Sequence, residues 1–125
     1  MTRVIYTASK TKYAPMWRLF KELGVNINST WIYEAGVGES KSFSDLWIRC
    51  INETSQCDRL VLYALDQDPP LKGAFVECGA ALAAGKEVHA FVDVGLRQLS
   101  FFKHPQVRLY QPNEISIIKE EKWWL

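Results

Sequence analysis

The stretch DRLVLYAL, residues 58–65, constrains the fold more than any other part of the chain. It is a near-continuous apolar run, too short for a free-standing helix and bounded by turn-forming residues. A strand with one wet face alternates apolar and polar side chains, whereas a strand covered on both faces does not. The run therefore predicts a central parallel strand with structure packed above and below it. Parallel strands need crossover connections, and those are usually helices.

The rest of the chain supplies what such a sheet requires. RVIYTAS (3–9) reads as a first strand and VNINSTWIY (25–33) as a second, because Val25, Ile27, Ser29, Trp31 and Tyr33 alternate along one side. EVHAFVD (87–93) and VRLY (107–110) read as two more. Between them, Met16, Trp17, Leu19, Phe20 and Leu23 recur at helical spacing, with Thr11 as a candidate cap and Gly24 as a stop. EAGVGESKSF (34–43) reads as a loop, and Ser44 as the cap of a helix over 45–57. Pro70 is placed to open a helix that Gly85 closes, residues 95–104 form a short helix, and 115–125 fit either a helix or an extended arm.

These elements predict one α/β domain over residues 1–125, a flavodoxin-like or Rossmann-like sandwich. Its central parallel sheet has about five strands, with helices on both faces. A chain of 125 residues has room for one core and little more. Fifteen basic against fourteen acidic side chains give a net charge of +1, which provides no electrostatic footprint for nucleic acid or an anionic membrane. No apolar run reaches the ~18–20 residues needed to cross a bilayer, and the first residues form no secretory leader, so a cytoplasmic location is expected. Cys50, Cys57 and Cys78 are expected as buried free thiols, and His89 and His104 as structural residues. Neither cysteine nor histidine spacing forms a metal site, and no cofactor is expected.

In doubly wound sheets ligands bind outside the carboxyl ends of the strands. That edge gathers Ser9 and Lys10, then Trp31 to Glu34, then Asp66 to Pro70. The sharpest signal lies in PPLKGAFVECGAALAAGK (69–86), where Glu77 is the lone interior acid of an otherwise small and apolar helix. Its neighbours one turn away are Gly73, Ala74, Ala80 and Ala81, none of which can pair with it. Such a carboxylate must reach solvent, find partners elsewhere in the fold, or take up a proton more readily. Gly79 costs roughly 1 kcal/mol against alanine in mid-helix, which fits a place of close approach. DQDPP (66–70) is good turn chemistry without any ligand. Trp17 and Trp47 fall on apolar helix faces and are expected in the core.

DQDPPLKGAFVECGAALAAGKEV, together with the VIY that ends in Tyr6, resembles the nucleoside 2-deoxyribosyltransferase-like family over roughly residues 3–95. The resemblance implies N-glycosidic bond cleavage or deoxyribosyl transfer on a nucleoside or nucleotide. Glu77 would be the nucleophile, Tyr6 the residue that orients it, and Asp66 or Asp68 the group that handles the leaving base. The residues themselves offer Ser9 and Lys10 for a phosphate, the faces of Trp31 and Tyr33 for a base or a nicotinamide ring, and Gly73 at the border of the substrate. The family also implies a homo-oligomer with partner-completed sites, in which Trp123 and Trp124 dock on their own domain or cross to a neighbour. Two departures favour a non-catalytic alternative, a protein that binds or sequesters a nucleotide-derived ligand. PPLKG lengthens the span from the aspartates to Glu77, and TASKTKYAP replaces the family's glycine-rich turn after the first strand.

Overall fold

The run at 58–65 becomes an interior strand of a parallel sheet. The computed structural model describes residues 2–34 and 43–125. Its strands are β1 (Ile5–Ala8), β2 (Arg59–Ala64), β3 (Glu87–Val92) and β4 (Val107–Tyr110), in the order β1-β2-β3-β4 with every pair parallel. Four helices accompany them among the described residues: α1 (Ala14–Glu22), α2 (Phe43–Gln56), α3 (Lys72–Ala83) and the short α4 (Glu121–Trp124).

The register divides the side chains between two faces. Tyr6, Leu60 and Val88 stand side by side on one, while Thr7, Val61 and His89 stand on the other. The Tyr6 face is covered by α3, with α2 packed beside it. The opposite face is covered by α1, whose Trp17 meets the Tyr63 ring edge-on with centroids 6.4 Å apart, and by the segment that ends in α4. Leu60, Val61, Leu62, Val88, Ala90, Phe91 and Val92 are fully buried, so both interior strands are covered on both faces. The helices on the two faces and the parallel sheet agree with the sequence reading.

The sheet has four strands rather than about five, because the second expected strand barely forms. Ile27 alone bridges to Ile5, through Ile5 N–H to Asn26 O (2.9 Å) and Asn28 N–H to Ile5 O (3.0 Å). Side chains then take over the work of a ladder. The Ser29 hydroxyl accepts from the Thr7 amide (3.2 Å) and bonds the Thr7 hydroxyl (2.6 Å), and Asn28 Nδ2 donates to Glu53 O (3.0 Å). Local polar bonds of this kind compete with extended pairing. Thr30–Tyr33 turns into a 3-10 segment instead.

Several boundaries also move. Thr11–Tyr13 is a 3-10 turn ahead of α1 rather than a simple cap. Ser44 lies inside the first turn of α2, which begins at Phe43, and most of the expected 34–43 loop falls outside the described residues. Helix α3 starts at Lys72, two residues beyond Pro70, because Leu71 still has a non-helical backbone. Residues 95–104 form 3-10 segments over Val94–Gln98 and Ser100–Lys103 rather than one helix. Gly24 and Gly85 take positive φ angles of 106° and 78°, which explains their place after α1 and α3.

Residues 112–125 settle as a 3-10 segment, Pro112–Lys119, followed by α4. Trp123 is buried on its own domain. Arg59 Nη1 donates to its carbonyl at 2.6 Å, the guanidinium carbon lies 4.8 Å from its ring centroid, and His89 meets the ring at 5.2 Å. The Trp124 side chain lies outside what is described. All three cysteines are free and buried. No described helix is long and apolar enough to cross a membrane.

Candidate active site

Glu77 reaches the sheet from the middle of α3, where small neighbours leave its stem room to lie against β1. It is 8% exposed, and Tyr6 on β1 is fully buried beneath it. The Tyr6 hydroxyl donates to Glu77 Oε2 at 2.5 Å. Cys50, on the side of α2 that faces α3, interacts with both groups. Burial favours the neutral acid and pushes the Glu77 carboxyl up to about 7. Hydrogen bonding from Tyr6 and Cys50 pulls the other way, and the nearby charge of Glu53 adds to the rise. Burial and the Glu77 charge together push the Tyr6 phenol far above its ordinary range, so Tyr6 stays a proton donor to the carboxylate. Burial pushes the Cys50 thiol up to about 12, which keeps it protonated.

Glu77 and Cys50 line a cavity of about 290 Å³, with Tyr6 buried behind them. The segment after β1 supplies Ser9, Lys10 and Thr11, and the turn beyond the Ile27 bridge supplies Trp31. Helix α3 supplies Gly73, Ala74 and Glu77, while α2 supplies Leu46, Trp47 and Cys50. Arg49 ties α2 to the Trp31 turn by pairing with Glu34 and donating to Thr30 Oγ1 at 2.8 Å. Glu53 does the same by accepting from the Thr30 amide (3.1 Å) and hydroxyl (2.8 Å).

Of the residues singled out from sequence, Glu77, Ser9, Lys10, Trp31 and Gly73 line this cavity, and Tyr6 joins them from the core through its bond to Glu77. Ser9 is partly committed, accepting from Trp17 Nε1 at 2.8 Å and donating to Lys10 O at 2.9 Å. Trp31 is 7% exposed, and its indole N–H donates to Thr7 O at 2.8 Å. Asp66 and Asp68 are not brought to the cavity. The Asp66 amide donates to Asp93 Oδ2 at 2.8 Å, and its carboxylate lies so close to Gly95 that a β-carbon there would stand 2.6 Å from Oδ1. Asp68 is 1% exposed and accepts from Tyr13 Oη (2.8 Å), the Leu65 amide (2.8 Å) and Lys12 Nζ (2.9 Å). Burial opposes its charge, but those three donors outweigh it and hold its carboxyl below the usual range.

Sequence reasoning missed the α2 wall. Leu46, Trp47 and Cys50 share one side of that helix at three- and four-residue spacing, a pattern that also describes an ordinary core face. Trp47 departs from that expectation: it is 43% exposed, whereas Trp17 is fully buried. Among the described residues, no group of three or more His, Cys, Asp and Glu side chains is placed to hold a metal ion.

The chain matches no protein-family model, and it shows no significant similarity to a curated protein sequence. Its fold does match that of a solved structure, the CMP N-glycosidase BcmB of Clostridium botulinum. The match has a TM-score of 0.64 at 15% identity and covers 96% of this chain and 98% of that one. At such identity the likeness is one of fold. The chain is an α/β protein built on the same architecture as that enzyme.

Proposed function

We propose that the protein cleaves the N-glycosidic bond of a nucleoside or nucleotide, with Glu77 as the nucleophile. The observation that carries this reading is the buried Tyr6–Glu77 pair at the wall of a cavity. The Tyr6 phenol holds the carboxylate by Oε2, and Oε1 is the oxygen that attacks the anomeric carbon. Oε1 bonds to C1′ as the C1′–N bond breaks. The bonding pair goes to the base nitrogen, which takes a proton from water and leaves hydroxide. That hydroxide then attacks C1′ and releases the sugar and the Glu77 carboxylate, or a second base gives it a proton and attacks C1′ to complete a transfer. Lys10 places a positive charge at the same cavity, which favours a 5′-phosphate and hence a nucleotide. The substrate named for BcmB and the sequence resemblance both favour this chemistry.

The test is base release from a panel of nucleosides and nucleoside 5′-monophosphates, in both ribo and deoxyribo forms, with and without a second base. Wild type releases base, Glu77→Gln loses at least about 10³-fold in rate, and mass spectrometry finds a sugar ester on Glu77 in denatured, quenched protein. Release by Glu77→Gln at the wild-type rate rejects the reading.

A second reading, binding without cleavage, is favoured by one observation. Asp66 and Asp68 are held away from the cavity, so Glu77 is the lone carboxylate lining it among the described residues. A nucleotide that binds and is recovered intact supports that alternative.

A further inference from the structure

The chain carries an aromatic surface at the cavity that the Tyr6–Glu77 chemistry does not use. Of its tryptophans, Trp17 is fully buried, Trp31 is closed over with its N–H committed, and Trp123 lies on the opposite face of the sheet. Trp47 is different: its indole borders the cavity and is 43% exposed. The tip of the ring rests against the first turn of α3, where Cη2 would lie 3.7 Å from a β-carbon on Gly73. Gly73 and Glu77 are four residues apart on α3, hence on the same side of the helix and about 6 Å apart along its axis.

We propose that Trp47 is the platform on which the planar base of the substrate stacks. This rests on the reading of the cavity as an N-glycosidic site. Trp47 and Glu77 line the same cavity, so a base lying on the indole shares it with the Glu77 carboxylate, and the anomeric carbon of the sugar is one bond from the base. Every base offers a π-face, so the platform selects for a planar heterocycle without choosing among bases. Specificity for one base must then come from polar groups elsewhere at the cavity. The same indole also adjoins a shallower apolar surface formed with Ile48 and Ile51, which lies outside the cavity. Ile48 therefore provides an internal control for an effect of the outer surface alone.

The test measures equilibrium binding by calorimetry on a Glu77→Gln host, in which the probes stay intact. The probes are AMP, GMP, CMP and UMP, with ribose 5-phosphate as the ligand that lacks a base. Trp47→Leu keeps apolar bulk and loses the aromatic face; it is expected to weaken the nucleotides about tenfold or more and leave ribose 5-phosphate within about twofold. Trp47→Phe restores most of the nucleotide affinity, and Ile48→Asn leaves it unchanged. Nucleotide affinity unaltered in Trp47→Leu overturns the platform and leaves the catalytic reading standing. Equal losses of nucleotide and ribose 5-phosphate, or an equal loss in Ile48→Asn, also overturn it. Failure of all four nucleotides to bind the host overturns the platform, and base release by the wild-type protein then decides the catalytic reading separately.

Discussion

The Tyr6 hydroxyl and Glu77 Oε2 meet at 2.5 Å across 71 positions of sequence, joining β1 to α3. Each is buried and each depends on the other for its main polar partner. Tyr6→Phe keeps the ring in the core and removes that donor. The Glu77 carboxyl then rises above about 7, because burial remains while one favourable hydrogen bond is gone. The acid limb of the pH–rate profile is expected to move to higher pH, and the rate at pH 6 to fall more than the rate at pH 9. A pH profile of base release checks this, and an unshifted acid limb counts against the coupling.

Glu77 also predicts how stability depends on pH. Its carboxyl is raised from an ordinary 4.5 to about 7, so the folded state binds the proton more tightly than the unfolded state. Stability therefore falls as pH rises from about 4.5 to 7, and the loss is complete above that window. The size is about 3 kcal/mol at one pK unit per 1.36 kcal/mol. Glu77→Gln is expected to be the more stable protein at pH 8, with the advantage disappearing near pH 4. Urea denaturation of both proteins across that range measures it.

Asp68 is expected to matter for folding rather than for chemistry. Its carboxyl is held low in the folded state, so its contribution is present above its unfolded pKa. That contribution is lost as pH falls through the folded value, below about pH 4. Asp68→Ala leaves Tyr13, Lys12 and the Leu65 amide without their shared acceptor and is expected to cost about 2–4 kcal/mol. Activity per folded molecule should stay within about threefold of wild type. A large fall in that activity, with stability preserved, would show Asp68 acting on substrate.

Arg59→Ala is expected to release Trp123 from the back of the sheet. The substitution removes a 2.6 Å hydrogen bond and a stacked guanidinium, at a cost of about 1–3 kcal/mol. Tryptophan emission should shift to the red, while nucleotide affinity at the distant cavity holds.

Much of this was legible because the informative patterns are local. The apolar run at 58–65 needs no partner to announce a doubly covered strand, and Glu77 stood out against its own helical neighbours. The failures share another cause. Val25, Ile27, Ser29, Trp31 and Tyr33 alternate like a strand, yet Ser29 and Asn28 bond to β1 and α2 and bend the segment away. Asp66 and Asp68 lie at the expected sheet edge, and where they sit there depends on Asp93, Lys12 and Tyr13, which are remote in sequence. Trp47 has core-like spacing and is exposed because of where α2 lies against α3, a tertiary fact that no window of sequence contains.

Trp123 and the residues before it have a consequence for the order in which the molecule can be completed. The four strands join the sheet in the order in which they occur along the chain, so the sheet can grow one edge at a time during synthesis. Ile118 and Trp123, however, are buried residues of a segment that follows every strand. A nascent chain that has already emerged through β4 thus has its Tyr6–Glu77 face assembled and the reverse face still wet beside His89. Until residues 112–125 fold back, that uncovered side is where a chaperone or a stray neighbouring chain would find its grip.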